Sequence, residues 1–364
     1  MNLFGKPVLV IGNGVRMSGA DPAPLLELGI PVLTSWPAID TVDNNHRMYF
    51  GRPGIYGQRI ANKIFYEADE IIGIGCRFPP YMIGHAGFRE GQKITMVDVD
   101  AAEAKKHNAT HINMDAKDFI PYFAPNVSCY SWVKQCERWR EELPWVEYPT
   151  HDDTDGYINS YQFIARLQPF LREDEIICVD NGCLMCPPMQ VLKVKPPQRL
   201  MMAGNLGVMG ATLPGALGAS IALGKREVLA FHGDGSFALN LQELGTVMHH
   251  KLPIKFLVFE NDGYGMIKGT YDSLRKKRVG VSKETGLSFP DYAKVAQGFG
   301  IPTGRIRSWA DFDTEIPELL QSKEARLVVV HVDPEQQFVP RLKPTIEGGK
   351  ITPARFDRMS PILA

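Results

Sequence analysis

Apolar residues fall in short β-branched runs separated by stretches with helical spacing. Pro7–Ile11 (PVLVI), Ile30–Thr34, Glu70–Gly75 and Lys93–Val99 each read as a buried strand, Gln58–Ala68 suits a helix, and Gly12-Asn13-Gly14 reads as a turn. Strands spaced by helices predict a parallel sheet covered on both faces. The rhythm breaks over Glu141–Gly156 (EELPWVEYPTHDDTDG), which is acidic, polar and interrupted by proline, as a domain boundary would be. It resumes with a helix from Tyr157 to about Leu171 and a strand at Glu175–Val179. A Gly- and Ala-rich stretch, Gly204–Ala222, leads to strands at Val228–Phe231 and Ile254–Glu260, a helix near Tyr292–Phe299 and a strand at Arg326–Val332. The tail from Gln336, with four prolines, reads as an irregular arm, and no short repeat period is present. The predicted class is α/β with two doubly wound parallel-sheet domains, residues 1–127 and 157–336, joined by a linker at 128–156 and followed by an arm at 337–364.

Length agrees with that count, since 364 residues correspond to about two domains. With 40 basic and 41 acidic side chains the formal charge is −1, so nothing draws the chain to nucleic acid or to an anionic membrane. No apolar run approaches the ~18 residues of a membrane span. The first residues lack a secretory pattern, which makes the cytoplasm the expected location and excludes nucleic acid and membrane as expected partners. Six cysteines are too few for a disulfide framework, and the CxxC spacing of Cys183 and Cys186 has no second pair to complete a zinc set.

Chemistry concentrates in Val228–Gly265, VLAFHGDGSFALNLQELGTVMHHKLPIKFLVFENDGYG. A strand ends at Phe231, Gly233-Asp234-Gly235-Ser236 forms a turn, and an amphipathic helix carrying Phe237, Leu241, Leu244 and Met248 runs to about His250. A second strand then ends at Asn261-Asp262-Gly263. In a right-handed βαβ unit both loops leave the same edge of the sheet, so Asp234 and Asn261 meet although 27 positions apart. A carboxylate, an amide oxygen and the Gly263 carbonyl form a hard oxygen set suited to magnesium, with phosphate oxygens completing the shell. Gly235 and Ser236 would face anionic oxygens at the helix start. The same residues also suit a plain turn and loop. His249-His250 reads as a solvated helix end, and the direction of His232 is not legible. Gly12-Asn13-Gly14 with Asp98 and Asp100 resembles a dinucleotide site, but Met17 breaks the GxGxxG pattern.

GDGS followed at this distance by ENDGYG resembles the cofactor motif of thiamine diphosphate (ThDP) enzymes. KPVLVIGNGVRMSG, YFGRPGIYGQRIAN, ADEIIGIGCRF, GVMGATLPGALGAS and NLQELGTVMHHKLPIKFLVFENDGYG are similar, in order, to blocks of acetolactate-synthase-like large subunits. The resemblance implies that Asp234, Asn261 and the Gly263 carbonyl hold Mg2+. It puts the diphosphate against Gly235, Ser236 and the turn Asn181-Gly182-Cys183, with Gly233, Tyr264, Gly265 and Met266 completing the pocket. Met209, in GVMGA, matches the family's hydrophobic prop. That prop bends the cofactor so that its 4′-amino group reaches the thiazolium C2 proton, a catalytic support by positioning.

The resemblance also implies a middle domain and a diphosphate-binding domain, out of the family's three. The chain begins at the middle domain's first strand. The pyrimidine-binding domain, with the glutamate that activates the cofactor, is therefore expected from another chain or from a partner in a homo-oligomer. The implied activity is decarboxylation and carboligation of a 2-keto acid such as pyruvate. Two other readings stand beside it: an inactive truncated paralogue that binds ThDP and Mg2+ or a family partner, and a decarboxylase or aldehyde lyase. The family's FAD segment, RFDDRxTG, reads RFPPYMIG here from Arg77 to Gly84, which argues against FAD. The acceptor-gripping arginine falls at Tyr81 and the acceptor-pocket tryptophan at Thr270, beside Tyr271.

Overall fold

Eleven strands in two parallel sheets form the cores of two units in the computed structural model, which describes residues 2–3, 5–146, 156–204, 206–274, 276–347 and 350–363. The first unit comprises residues 1–147, 193–196 and 339–364, and the second comprises 148–192 and 197–338.

In the first unit, β1 (Pro7–Ile11), β2 (Val32–Thr34), β3 (Glu70–Ile74), β4 (Lys93–Asp98) and β5 (Thr110–Asn113) form a parallel sheet in the order β2-β1-β3-β4-β5. All residues of β1 and β3 are buried, because a central parallel strand is covered on both faces. The helix Arg59–Glu67 turns Ile60, Ala61, Ile64 and Phe65 into this core at helical spacing. Each fully buried aliphatic side chain contributes about 1.5–3 kcal/mol.

Three sequence expectations change here. The stretch predicted as linker contains a helix, Tyr130–Glu142, whose buried Trp132 donates from Nε1 to the Pro7 carbonyl at 3.0 Å. Within that stretch, residues 147–155 lie outside the described residues. The tail is not a loose arm, since Leu342, Phe356 and Met359 join the core and Arg59 Nη1 donates to the Met359 carbonyl at 2.9 Å. Thr345–Glu347 and Lys350–Thr352 pair antiparallel within it. Asn13, predicted in a turn, opens a short helix, Asn13–Met17. Gly12 allows the close approach there, because a Cβ on it would lie 2.0 Å from the Gly75 carbonyl oxygen.

In the second unit, β6 (Ile176–Val179), β7 (Arg199–Met202), β8 (Val228–Gly233), β9 (Ile254–Glu260), β10 (Thr303–Ile306) and β11 (Arg326–His331) run parallel in the order β10-β11-β9-β8-β6-β7. From β6 the chain goes to one side, to β7, and from β8 it goes to the other, to β9. The crevice between the carboxyl ends of β6 and β8 is thus the topological switch point, where open α/β sheets bind ligands. The helix expected from Gly235 to His250 is broken. Asp234–Phe237 and Glu243–His250 are helical, separated by the 3-10 turn Ala238–Asn240. The break sets the Asn240 side chain on the Gly210 carbonyl, 2.8 Å from Nδ2. His249 and His250 are exposed. No helix among the described residues is long and apolar enough to cross a membrane.

Candidate active site

β8 extends two residues beyond its predicted end, to Gly233, so the GDG segment is the junction of strand and helix rather than a free turn. Asp234 follows at once and is 1% exposed. Its carboxylate accepts from the Gly235 N–H at 2.6 Å, the Asn261 N–H at 3.1 Å and the Gly263 N–H at 3.2 Å. The βαβ unit thus joins the two loops as the sequence predicts, with the second loop wrapped around the carboxylate of the first.

Glycine is required at position 263 because a Cβ there would lie 2.1 Å from the Val281 carbonyl oxygen. The adjoining Tyr264 N–H donates to that same oxygen at 3.0 Å. Asp262 takes the left-handed conformation (φ 52°) that Asp tolerates better than most residues. The Asn261 Nδ2 points to Cys183 Sγ at 3.7 Å, and a Cβ on Gly265 would lie 2.7 Å from the same sulfur.

These groups line a cavity of about 320 Å3, at the lower end of the usual size for ligand pockets. Asn181, Gly182, Cys183, Met209, Gly233, Asp234, Gly235, Ser236, Asn261, Gly263, Tyr264, Gly265 and Met266, the residues singled out in the sequence, all lie on its wall. Asp180, Leu184, Phe231, His232 and Ile267 line it as well. Sequence reasoning left the direction of His232 open and assigned no site role to the other four, although Asp180 directly precedes the quoted turn at the end of β6. Thr270 is exposed on the helix Gly265–Ser273. Tyr81 belongs to the first unit, where its ring centroid is 6.1 Å from that of Trp36.

Several expected ligand donors already have partners within the chain. The Gly235 N–H meets Asp234, the Ser236 hydroxyl donates to the Asn181 carbonyl at 2.8 Å, and Asn181 Nδ2 donates to the carbonyls of Val208 (2.8 Å) and Ala203 (3.2 Å). The helix at Asp234 is a single turn, so its dipole is small. Gly182, at φ 124°, has open space where a Cβ would stand, which leaves room for a ligand against the backbone.

Burial is the largest influence on Asp234 and pushes its carboxyl up to about 7 against the three N–H bonds that lower it; the negative charge of Asp262 pushes the same way. A buried carboxylate without a cationic side chain beside it fits a bound cation. No cluster of three or more His, Cys, Asp or Glu stands ready for a metal among the described residues. One carboxylate with amide and carbonyl oxygens is an oxygen set whose chemistry would suit a hard ion such as Mg2+ better than zinc. Burial also raises the Cys183 thiol to about 12, which keeps it protonated at neutral pH.

Comparison with known proteins agrees with this geometry. Residues 180–332 match the family model described as thiamine pyrophosphate enzyme, C-terminal TPP binding domain, and residues 4–122 match its central domain. A probable acetolactate synthase large subunit of Methanocaldococcus jannaschii is 30% identical over 366 residues, covering 95% of this chain and 60% of that protein. The acetolactate synthase isozyme 2 large subunit of Escherichia coli is 28% identical over 345 residues, covering 93% of this chain and 62% of its own length. The chloroplastic acetolactate synthase 2 of Nicotiana tabacum is 27% identical over 351 residues, covering 93% and 53% respectively. The chain thus spans about three fifths of the length of the curated relatives it matches first.

Proposed function

The chain belongs to the thiamine pyrophosphate enzymes, and from that premise we propose that the cavity at the β6/β8 switch point binds the diphosphate of ThDP with Mg2+ in an acetolactate-synthase-like reaction on a 2-keto acid such as pyruvate. The observation that carries this reading is the buried Asp234 carboxylate, bonded to three backbone N–H groups from two loops and with no ion pair to a cationic side chain among the described residues. Asp234, the Asn261 amide oxygen and the Gly263 carbonyl would hold the metal. The backbone at Gly182 and Gly233 would let phosphate oxygens approach, and Met209 and Met266 would meet the rings.

When bound, ThDP supplies a nucleophilic carbon and an electron sink for loss of carbon dioxide from the keto acid. The chain's own part is to neutralise the diphosphate through its metal, fix the cofactor's posture through Met209 and exclude water with the apolar walls of Leu184, Phe231 and Ile267. The lining contains Asp180 and Asp234 but no glutamate. The acid that activates the aminopyrimidine is accordingly assigned to polypeptide outside this cavity wall, from a further domain or a second chain of an oligomer. FAD is not part of the proposal.

The test is conversion of labelled pyruvate, followed by NMR, with the chain alone and with a pyrimidine domain taken from a relative. Turnover that requires both ThDP and Mg2+ is expected in the second case. No ThDP-dependent release of carbon dioxide in either case would overturn the assignment of activity. The changes at Tyr81 and Thr270 support a second reading, a binding-only paralogue, which predicts tight Mg2+-dependent ThDP binding without turnover.

A further inference from the structure

We infer that Asp180, oriented by His232, is the positioning residue that sets where Met209 stands in the cavity; this rests on the reading of Met209 as the cofactor's prop. Met209 lies in the connection between β7 and the helix Thr212–Ala222, whose described residues form no helix or strand. That connection exposes Leu206 and Val208 and carries glycines at positive φ at 207 and 210. Such a segment has many conformations open to it, and ordering it costs about 1–2 kcal/mol per residue.

Side chains from elsewhere in the second unit hold the segment on both sides of Met209. Before it, Asn181 Nδ2 donates to the Val208 carbonyl at 2.8 Å. After it, the Gly210 N–H donates to Asp180 Oδ1 at 3.1 Å, and the Gly210 carbonyl accepts from Asn240 Nδ2 at 2.8 Å. The consecutive residues Asp180 and Asn181, at the carboxyl end of β6, therefore bracket the methionine.

Asp180 is itself held. Its Oδ1 also accepts its neighbour's N–H, from Asn181 at 2.9 Å, while Oδ2 meets His232 Nδ1 at 3.1 Å. The His232 ring is buried against Phe237 and Phe256, with centroids 4.9 and 5.9 Å away, and its Nε2 has no hydrogen-bond partner among the described residues. Donation to the Asp180 carboxylate places the proton on Nδ1, and this is the ring's one polar bond among the described residues. Burying an imidazole and a carboxylate together costs free energy unless their geometry is used. Here its use is to fix the carboxylate plane, so that Oδ1 faces the Gly210 N–H. Asp180→Asn can retain one acceptor for Gly210, but its NH2 group can donate to His232 Nδ1 only if the imidazole proton moves to Nε2, a buried atom with no acceptor among the described residues.

The experiment compares two ligands on the full chain by titration calorimetry, Mg2+ with ThDP and Mg2+ with inorganic pyrophosphate. On the reading of Met209 as the cofactor's prop, pyrophosphate would occupy only the end of the cavity at Asp234 and Gly182, whereas ThDP would fold over the methionine. Asp180→Asn is expected to weaken ThDP about tenfold, near 1.4 kcal/mol, and pyrophosphate by less than about twofold. Met209→Ala should give the same pattern, and the double variant should bind ThDP no more weakly than Met209→Ala alone, because both act through one group. Should Asp180→Asn not fold, His232→Leu carries the same expectation, and His232→Asn, which keeps a donor near Nδ1, restores ThDP affinity. Equal weakening of both ligands by Asp180→Asn, or additive effects in the double variant, would overturn the clamp and leave the site assignment standing. A wild-type chain that binds pyrophosphate as tightly as ThDP, with no effect of Met209→Ala, would overturn the prop and the clamp together.

Discussion

Replacing Asp234 with asparagine should remove the metal site without weakening the apo fold at alkaline pH. The folded-state carboxyl stands at about 7 against an ordinary 3.8, because burial outweighs three N–H bonds. A folded-state value above the unfolded one means that the folded protein holds this proton more tightly. The group's contribution to stability is therefore complete below about pH 4, falls as the pH rises, and levels off above about pH 7. About three pH units at 1.36 kcal/mol each put the cost of the ionised, metal-free carboxylate near 4 kcal/mol at pH 8. The amide avoids that cost but accepts the three N–H bonds less well, a loss of about 1–3 kcal/mol in total. The apo variant should thus be about 1–3 kcal/mol more stable than wild type at pH 8 and, because about 1 kcal/mol of the wild type's cost persists at pH 4.5, less stable there by up to about 2 kcal/mol. Hydrogen exchange of the β8 amides under mild denaturant reads this in the second unit alone. Adding Mg2+ and ThDP should raise protection in the wild type and leave the variant unchanged. A variant less stable than wild type by more than about 2 kcal/mol at pH 8, with binding of Mg2+ and ThDP intact, would show that Asp234 is a structural residue and refute the reasoning.

Because the metal requires the ionised carboxylate, Mg2+ affinity measured calorimetrically should fall about tenfold per pH unit below about pH 7 and change little above it. Asn261→Ala should weaken Mg2+-dependent ThDP binding about tenfold while the apo melting temperature moves by only a few degrees, if its Oδ1 holds the metal as proposed. Gly263→Ala should cost about 2–4 kcal/mol in denaturant titrations, because the Val281 carbonyl lies 2.1 Å from the new Cβ and is backbone that cannot swing aside. Trp132→Phe should cost about 1–3 kcal/mol in the first unit by leaving the Pro7 carbonyl unpaired; a smaller loss would mean that water replaces the indole.

The central strands were legible because their two-sided burial writes unbroken apolar runs, as in PVLVI for β1 and IKFLVFE for β9. The strands that escaped, β5, β7 and β10, are all sheet edges. THIN in β5 has no fully buried residue and TGRI in β10 is half-buried, so neither shows a continuous run. Helix Tyr130–Glu142 escaped for a related reason, since it buries only Trp132 and Cys136 among thirteen residues. The apolar spacing of Phe237, Leu241, Leu244 and Met248 concealed a break because the pull on Asn240 comes from Gly210, thirty positions away. At the site, Asp234 and Asn261 were legible because one βαβ unit fixes both. The Asp180–His232 contact joins residues 52 positions apart, and nothing local in the sequence reports it.

The central claim is that the second unit's switch-point cavity holds ThDP through a divalent cation at Asp234. Calorimetric titration of ThDP into the apo chain at pH 8, in excess Mg2+ and again in excess chelator, tests it most directly. Binding with Mg2+ that disappears both in chelator and in Asp234→Asn is the predicted result. Binding of equal strength without the metal, or no binding by the wild-type chain with it, would contradict the claim.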